Sequence, residues 1–460
     1  MNRWIRTPAL FIVVLFLQIP SALATTTIEG SSGTTPWVTG YYVGYQRDML
    51  PPDKIDWNGL THIVMGAVTA NADGTLNTDF YVDKTNGPAL ARQISTLAHA
   101  HNKKAILMLG GAGNGGAILS AVRDHRALFI TNLVNTMDSY GYDGVDLDWE
   151  DNVDWVLFET FAKELRQAAP GKILTLPGGA INANYQTVDP KVVNVVKHVD
   201  QFNLMTYYPS TAWAGDGWYS WHNSPLMGAK PTTPVSIEDS LARYNASGVP
   251  KEKMGMGIGF YAIGYKGGIT GPNQPTTTGM IVGGDNAYPL SKLFGTGGAY
   301  DEKYRFWDSI AQEPYLNLTQ PDSFGARYVS FEDEQSLKAK GAFVRENGYG
   351  GTIIWTINQG YVASRAEPNF LMEALRTGFL EPLVTPVVIA LPGMTGLPTD
   401  PNHDGLYEDL NANGRIDFDD VVLFFDQMDW ISANEPSGIV DFNGNGRVDF
   451  DDVVWLYDKI

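Results

Sequence analysis

Eight short apolar segments, separated by helical patterns, are the feature of this sequence that most limits how it can fold. The segments are WVTGYYVGY, LTHIVMGAV, KKAILMLGG, YDGVDLDWE, KILTLPGGA, QFNLMTYYP, KMGMGIGFY and GGTIIWTIN. Apolar strands that alternate with helices, such as the helix predicted over residues 155–169, are typical of a parallel sheet that is covered on its faces. Eight such units predict a (β/α)8 TIM barrel, and an open doubly wound α/β sheet is the alternative.

The fourth segment carries three carboxylates at alternate positions, Asp146, Asp148 and Glu150. Side chains alternate between the two faces of a strand, so these three share a face, with neighbours about 6 to 7 Å apart. In a β/α barrel that face is the interior, and its last residue lies at the C-terminal mouth, where active sites are built. Carboxylates this close do not all ionise easily, so at least one pKa should rise and provide a general acid. A calcium site or a solvated acidic loop is the alternative.

The segment from Asp143 to Glu150 resembles the Asp-x-x-Asp-x-Asp-x-Glu signature of family 18 glycoside hydrolases, the chitinase family. NLMTYYPSTAWAGDGWYSWHNSPL and WDSIAQEPY also resemble stretches of that family. Many members carry a small α+β insertion between strands 7 and 8. The interval between Tyr261 and Arg327 can hold either such an insertion or an extended loop.

The resemblance implies a retaining mechanism in which the 2-acetamido group of the substrate is the nucleophile. Glu150 would protonate the glycosidic oxygen and then act as base toward water. Asp148 would orient the acetamido group, and Asp146 would hold Asp148. Tyr207 would hydrogen-bond the acetamido oxygen, with a core tyrosine bonded to backbone as its alternative. Asp143 faces the other way and is expected to be structural, and no catalytic metal is expected because the histidines form no metal-ligand spacing.

Aromatic side chains are expected to bind sugars through their apolar faces. By the resemblance, Trp355 on the last strand is the floor under the sugar that is cleaved. The loop after Tyr207 carries three tryptophans, for which sugar stacking is favoured over packing. The predicted substrate-binding residues are Trp355, Tyr41, Met205, Trp213, Trp218, Trp221 and Tyr261.

Three positions depart from the family pattern. Met108 stands where a serine usually supports the carboxylates, and Ala67 stands where an aromatic residue is common. Tyr208 replaces an aspartate that commonly contacts the bound sugar. These departures bear on substrate and rate more than on the class of reaction.

The N-terminus has the features of a secretory signal peptide. Two arginines precede an apolar segment over residues 9–17, and small residues follow at 22–24. This pattern predicts cleavage after Ala24 and a secreted protein. The predicted organisation is a signal peptide over 1–24, a flexible lead over 25–36, a barrel over 37–380, a linker over 381–399 and a tail over 400–460.

The charge and the cysteine content of the chain limit which binding partners it can have and how it can be stabilised. The chain has a formal net charge of −19 and no cysteine. In the tail, 15 acidic residues face three basic ones, which leaves that segment at −12. This balance argues against nucleic acid or an anionic membrane as partner. An exported chain without disulfides has to be stabilised by a large core or by bound ions.

The tail contains a repeat spaced by 32 residues, DLNANGRIDFDD and DFNGNGRVDFDD. Each copy fits a calcium loop with oxygen ligands at positions 1, 3, 5, 7, 9 and 12 and glycine at position 6. The predicted ligands are Asp409, Asn411, Asn413, Arg415, Asp417, Asp420, Asp441, Asn443, Asn445, Arg447, Asp449 and Asp452, the arginines through their backbone carbonyls.

Each loop runs into an amphipathic helix, so the tail is predicted to be a small helical, EF-hand-like domain. It resembles a type I dockerin, whose usual partner is a cohesin domain on a scaffold protein. Calcium is expected as a structural ion, with no cofactor for catalysis. A calcium module without a protein partner is the alternative.

These patterns together predict a secreted enzyme that degrades chitin. An endo-N-acetylglucosaminidase acting on glycans or peptidoglycan is one alternative. A sugar-binding lectin that kept the barrel without useful turnover is the other, since Met108 and Tyr208 depart from the catalytic pattern.

Overall fold

The computed structural model describes residues 35–182, 184, 187–208, 218–381, 388–402, 405–443 and 447–460. The strands are β1 (Trp37–Val43), β2 (His62–Ala70), β3 (Leu76–Asn77), β4 (Lys104–Gly110), β5 (Gly144–Asp148), β6 (Ile173–Gly179), β7 (Gln201–Met205), β8 (Met254–Gly259), β9 (Ile263–Tyr265), β10 (Ile281–Gly283), β11 (Arg305–Asp308), β12 (Glu313–Asn317), β13 (Tyr328–Ser330) and β14 (Gly351–Trp355). The α-helices are α1 (Asn86–Ala100), α2 (Gly115–Asp124), α3 (Arg126–Tyr140), α4 (Trp155–Ala168), α5 (Pro190–Val196), α6 (Ile237–Ala246), α7 (Leu290–Phe294), α8 (Glu334–Asn347), α9 (Phe370–Leu375), α10 (Phe418–Asn434), α11 (Ser437–Val440) and α12 (Phe450–Tyr457).

Eight of the strands form a closed parallel barrel in the order β1, β2, β4, β5, β6, β7, β8 and β14. The barrel closes because β14 pairs in parallel with β1, for example Gly351 with Trp37. Each of the eight predicted apolar segments overlaps one of these strands, and β2 extends two residues beyond its segment. The predicted TIM barrel is therefore confirmed, and the open-sheet alternative is wrong because neither end of the strand order remains an edge.

A second sheet lies in the chain between the seventh barrel strand, β8, and the eighth, β14. It is antiparallel, in the order β10, β9, β13, β12, β11, and the short helix α7 follows β10. The interval after Tyr261 is thus a small α+β insertion and not an extended loop.

Helix α4 shows how the local sequence determines where a helix begins and which of its faces is buried. The Asp154 carboxylate caps its N-terminus by accepting from the N–H groups of Val156 at 3.0 Å and Leu157 at 3.1 Å. Phe158 and Phe161 recur at helical spacing and are buried against the barrel. A capped amphipathic helix of this kind covers the outer face of a parallel sheet.

The side chains of strand β5 alternate between the apolar layer outside the barrel and the barrel interior. Val145 and Leu147 point outward into the large apolar cluster between strands and helices. Asp146 and Asp148 point into the barrel. At the strand start, the Asp143 carboxylate accepts from the N–H of Ala105 at 2.9 Å, which confirms its predicted structural role.

A buried charge cluster connects the inserted sheet to helix α8. Lys340 lies 2.6 Å from a carboxylate oxygen of Glu332 and 3.1 Å from one of Glu313, and all three side chains are inaccessible to solvent. Burial raises the pKa of Glu313 to about 8, and the charge of Glu332 adds to the rise while Lys340 opposes it.

Lys340→Met is expected to lower the free energy of unfolding by about 3 to 5 kcal/mol, because it leaves two carboxyls buried without their cation. In the variant, the folded-state pKa of the buried glutamates lies above the unfolded-state value, so folding takes up protons. Because proton uptake costs more at higher pH, the loss of stability should grow as pH rises from about 4 upward. Urea unfolding at several pH values measures this, with Lys338→Met, exposed on the same helix, as control. Equal losses in both variants would contradict it.

Residues 388–460 have an apolar cluster of their own, built around Leu410, Phe424 and Leu456. Helix α10 begins after loop residue Asp417 and α12 after Asp449, each of which caps its helix. As predicted, each copy of the repeat runs into a helix, which begins within the last three residues of the copy. No helix within the described ranges is both long and apolar enough to cross a membrane.

Candidate active site

Asp146 lies deepest of the three carboxylates and is fully buried. Its Oδ2 accepts a hydrogen bond of 2.8 Å from the Tyr41 hydroxyl, and its Oδ1 accepts one from the hydroxyl of Thr175, its partner across the strand pair. Burial raises the pKa of Asp146 to about 6, the two hydroxyls oppose the rise, and the charge of Glu150 adds to it. Two donors thus orient a carboxyl that titrates close to neutral pH.

Asp148 is the next inward residue, and β5 ends there. Burial raises the pKa of its carboxyl well above the usual range, and the charges of Glu150 and Asp146 add to the rise. Its Oδ1 is buried and accepts no hydrogen bond from any described residue. Such an atom costs free energy until a donor reaches it, so it marks a position for a polar group of a ligand.

Glu150 lies two residues beyond the strand end, with its side chain exposed to solvent. Partial removal from water by the surrounding protein raises the pKa of its carboxyl. A hydrogen bond from the N–H of Ala112 opposes that rise, and the charge of Asp151 adds to it. An exposed carboxyl with a raised pKa keeps more of its proton near neutral pH than an ordinary glutamate, as a general acid requires.

Tyr207 follows β7 and packs in the barrel interior beside Met205. Burial raises the pKa of its hydroxyl well above the usual range, and neighbouring Tyr261, Asp148 and Glu150 add to the rise. The hydroxyl therefore stays protonated next to the carboxylates and can donate a hydrogen bond to a ligand.

Trp355 and Met205 end their strands at the barrel mouth, and both are half-buried. Trp355 packs with its ring centroid 5.4 Å from that of Tyr41. Both side chains therefore lie where strand alternation predicted, on the inward face beside the carboxylates.

Tyr41 and Tyr261 differ from their predicted role as sugar-binding residues. Each is only 2% exposed. Tyr41 donates to Asp146 from within the barrel, and the Tyr261 ring packs against Tyr207 and Tyr208. The structure thus corrects the prediction, because other side chains cover both rings.

The tryptophan loop needs a similar correction. Trp221 is 1% exposed, and its indole N–H donates to the Val235 carbonyl at 3.0 Å. Trp218 is also buried. In this structure neither ring presents a face to a sugar, because both are buried. Trp213 lies outside the described residues.

The site uses side chains that sequence reasoning missed. Thr175 on β6 supports Asp146 from one side, while Met108, its neighbour on β4 at the other side, provides no polar group. Met108 and Ala67 are both buried in the interior apolar cluster. Tyr45 and Tyr81 are exposed, with ring centroids 5.8 Å apart. Burial raises the pKa of the Tyr81 hydroxyl, and the charges of Asp148, Asp79 and Glu150 add to the rise. Two of these residues could have been found from sequence: Thr175 is a polar residue on the inward face of its strand, and Tyr45 comes just after barrel strand β1. No sequence pattern indicated Tyr81.

The first tail loop is fully described and its side-chain oxygens turn inward. Asp409 accepts from the N–H groups of Asn413 and Gly414, each at 2.9 Å, and Asp420 accepts from that of Leu410 at 2.8 Å. In the second loop, Asp452 accepts from Asn443 N–H at 3.0 Å, and Asn445 lies outside the described residues.

The donor set of both loops is entirely oxygen, which suits Ca²⁺. Burial raises the pKa of Asp420, and the charge of Asp409 adds to the rise against several backbone hydrogen bonds. Within the described ranges, however, no three His, Cys, Asp or Glu side chains converge closely enough to hold an ion. The loops therefore fit calcium in their chemistry, and the ligand set remains a prediction.

A parallel β/α barrel whose fourth strand ends in a row of inward carboxylates, beside tyrosine and tryptophan, has the architecture of a glycoside hydrolase. The chain belongs to glycosyl hydrolases family 18, whose family model matches residues 38–360.

Two relatives and one solved structure illustrate the similarity. The chain is 30% identical over 332 residues to a probable endochitinase of Caenorhabditis elegans, covering 65% of this chain and 51% of that protein. It is 27% identical over 330 residues to chitinase A1 of Niallia circulans, covering 64% and 45%. The chain thus spans about half the length of these curated relatives. A crystal structure of Ostrinia furnacalis Group IV chitinase in complex with allosamidin superposes with a TM-score of 0.61 and 25% identity, covering 74% of this chain and 98% of that one.

Proposed function

We propose that this protein is a chitinase that hydrolyses β-1,4-linked N-acetylglucosamine polymers with retention of configuration. The observation that carries the proposal is the buried Oδ1 of Asp148, which accepts no hydrogen bond from the described residues and lies one inward position below Glu150. A ligand that offers an amide N–H at that depth, next to its scissile bond, supplies the missing donor. An N-acetylated sugar has such a group at its 2-position.

The proposed roles follow from position and protonation. Glu150, at the mouth, protonates the glycosidic oxygen as the acetamido oxygen attacks the anomeric carbon, and then takes a proton from water. Asp148 accepts from the acetamido N–H and stabilises the positive charge of the oxazolinium intermediate, with Asp146 supporting it. Tyr207 donates its hydroxyl to the acetamido oxygen, and Trp355 supports the sugar ring. Each role uses residues of this chain alone.

The test is release of soluble N-acetylglucosamine oligomers from chitin by the purified full chain. Appearance of short oligomers supports the proposal. Cleavage of glycans or peptidoglycan without cleavage of chitin would favour the endo-N-acetylglucosaminidase alternative, and binding without any product would favour the lectin. The comparisons with known proteins do not favour either alternative.

We also propose that the tail binds calcium and needs it to fold. Its net charge is −12, and eight of its 15 acidic residues lie in the two loops, where clustered carboxylates repel one another until a cation neutralises them. Binding energy then becomes folding energy. The barrel site needs no metal in this mechanism.

A calorimetric scan of the full chain is expected to show one transition that a calcium chelator abolishes or sharply lowers. The barrel transition and the activity on soluble oligomers should be nearly unchanged. Deleting residues 400–460 should reproduce the chelated trace. If the chelator inactivates the truncated chain as well, calcium has a role in the barrel and the proposal is wrong.

We propose further that the tail docks onto a cohesin-like scaffold protein. Helices α10 and α12 expose large apolar side chains at matching positions, and these meet in cross-helix pairs: Phe418 with Tyr457 at 6.3 Å and Phe425 with Phe450 at 6.0 Å between ring centroids. Exposed apolar surface of this kind marks an interaction site.

The docking proposal is tested by titrating the calcium-loaded chain with a cohesin domain. Binding that is lost in Phe425→Ser but kept in Phe306→Ser, an exposed phenylalanine of the inserted sheet, supports it. Absence of binding by the wild-type chain contradicts it and leaves a calcium module without that partner.

Secretion is likewise our proposal, tested by N-terminal sequencing of the exported protein, which should begin after Ala24.

A further inference from the structure

The direction in which the Tyr207 hydroxyl points depends on how the backbone around it is held. No described residue forms a hydrogen bond with that hydroxyl. The ring packs edge-on to that of Tyr261, with the two centroids 6.3 Å apart, and a Cβ on Gly257 would come 2.9 Å from its Cε1 atom. Packing alone therefore surrounds the ring, and the residues on either side of Tyr207 determine its orientation.

On the N-terminal side, Thr206 ties the backbone to β8. Regular pairing of β7 with β8 ends at Asn203 and Gly255. Further along, the buried Thr206 hydroxyl donates to the Gly257 carbonyl and accepts from the Gly257 N–H, each at 2.9 Å. One side chain thus takes the place of backbone pairing directly before Tyr207.

On the C-terminal side, Asn223 holds the backbone of Tyr208. Tyr208 has φ 59°, in the left-handed region that a bulky residue rarely adopts. Its N–H donates to Oδ1 of Asn223 at 3.0 Å and to the Asn223 carbonyl at 3.1 Å. Nδ2 of the same side chain donates to the Tyr261 carbonyl at 2.8 Å. Asn223 therefore fixes both the residue after Tyr207 and the residue against whose ring Tyr207 packs.

Asn223 is in turn fixed by the inserted sheet. Its N–H donates to Oγ of Ser330 at 2.9 Å, and that hydroxyl donates to Oε1 of Glu313 at 3.2 Å. The N–H of Ser224 donates to the same carboxylate oxygen at 3.1 Å. Asn223, Ser330 and Glu313 are all fully buried. A buried network whose members are hydrogen-bonded is rigid, so Asn223 has a fixed position from which to hold Tyr208.

We propose that Thr206 and Asn223 are positioning residues that act through Tyr207. They clamp the backbone on both sides of it, so that its hydroxyl points toward the acetamido oxygen of the bound sugar. Both side chains are buried, so they act without contacting the substrate. The inserted sheet then helps to orient a catalytic group, through Ser330 and Asn223. This inference rests on the proposed function.

The test is a double-mutant cycle with Tyr207→Phe, which removes the hydroxyl. Thr206→Val and Asn223→Ala are each expected to lower kcat on chitin oligomers about 10- to 100-fold with little change in KM, because a catalytic group misplaced by about 1 Å loses this much rate. In the Tyr207→Phe background, either change should lower kcat by less than about threefold further, since the hydroxyl that it orients is already absent.

Thr352→Val is the matched control for the loss of a buried hydroxyl. The Thr352 hydroxyl is also buried and donates to a carbonyl of β8, that of Met256, at 3.1 Å. Strand alternation places it on the face of β14 opposite to Trp355. This variant should lower the melting temperature as Thr206→Val does, with kcat unchanged.

Two results would overturn the inference: equal losses of kcat in Thr206→Val and Thr352→Val, or losses that stay undiminished in the Tyr207→Phe background. If Asn223→Ala does not fold, the conservative Thr206→Val decides between these outcomes by itself. A wild-type chain that cleaves no chitin oligomer would overturn the proposed function and this inference with it, whereas additive losses in an active wild-type enzyme would overturn the inference alone.

Discussion

Glu150→Gln is expected to lower turnover of chitin oligomers by about 10² to 10⁴ while leaving the fold and the sugar affinity nearly intact. The glutamine has the shape of the glutamate but no proton to give to the glycosidic oxygen. Glu150 is exposed at the mouth, so neutralising it removes no buried contact. Initial rates, melting temperature and oligomer affinity are measured together, with Glu367→Gln, an exposed glutamate elsewhere on the barrel domain, as control.

The leaving group provides a second check on that role. A substrate with an activated aryl leaving group needs little protonation, so the same variant should lose much less activity on it than on chitin oligomers. Near wild-type rates on chitin oligomers would show that Glu150 is not the acid. Equal losses on both substrates would point to a role in orienting the sugar.

Substrates without the acetamido group are expected to be inert even where they bind. Chitin oligomers should be cleaved and cellulose oligomers of equal length should not, because only the former carry their own nucleophile. The first product should be the β-anomer, since two successive displacements at the anomeric carbon retain its configuration. Time-resolved NMR of the products distinguishes the anomers.

The matched pair of substrates isolates one chemical group, since both are β-1,4-linked and differ at the 2-position. Appearance of the α-anomer first would exclude the retaining mechanism. Cleavage of cellulose oligomers at a comparable rate would show that the enzyme supplies the nucleophile itself. Asp148 would then be its expected source, because it is the inward carboxylate of β5 next to Glu150.

The carboxylate row was predictable because its signal is local. Strand alternation alone places Asp146 and Asp148 on one face and Val145 and Leu147 on the other, and the structure has this arrangement on β5. Glu150 follows two residues beyond the end of the strand. The eight barrel strands were predictable for the same reason, since each lies in a short, mostly apolar segment of the sequence. Repeat spacing likewise located the two tail helices.

The tryptophan loop and the deep tyrosines were predicted wrongly for a common reason. Trp221 and Tyr41 have the residue type and the position in the sequence that are typical of sugar-binding aromatics. The solvent exposure of their rings, however, depends on which other segments cover them. Trp221 donates to Val235 and Tyr41 to Asp146, 105 residues away. Aromatic residues serve equally well as core or as stacking surface, and no local pattern distinguishes the two.

By itself, the sequence determined the closed barrel, the strand that carries the carboxylates and the side of that strand on which they lie, because these depend on alternation between neighbouring residues. Only the tertiary structure decided which donors orient Asp146, which aromatic rings stay exposed, and that Asp285 of the inserted sheet bonds to Gln359 beyond the last barrel strand. Gln359 and Asp285, joined by a hydrogen bond, lie 74 residues apart in the chain. Contacts of that kind arise from the folding of distant segments onto one another, and the physical information that specifies them is spread over the whole chain.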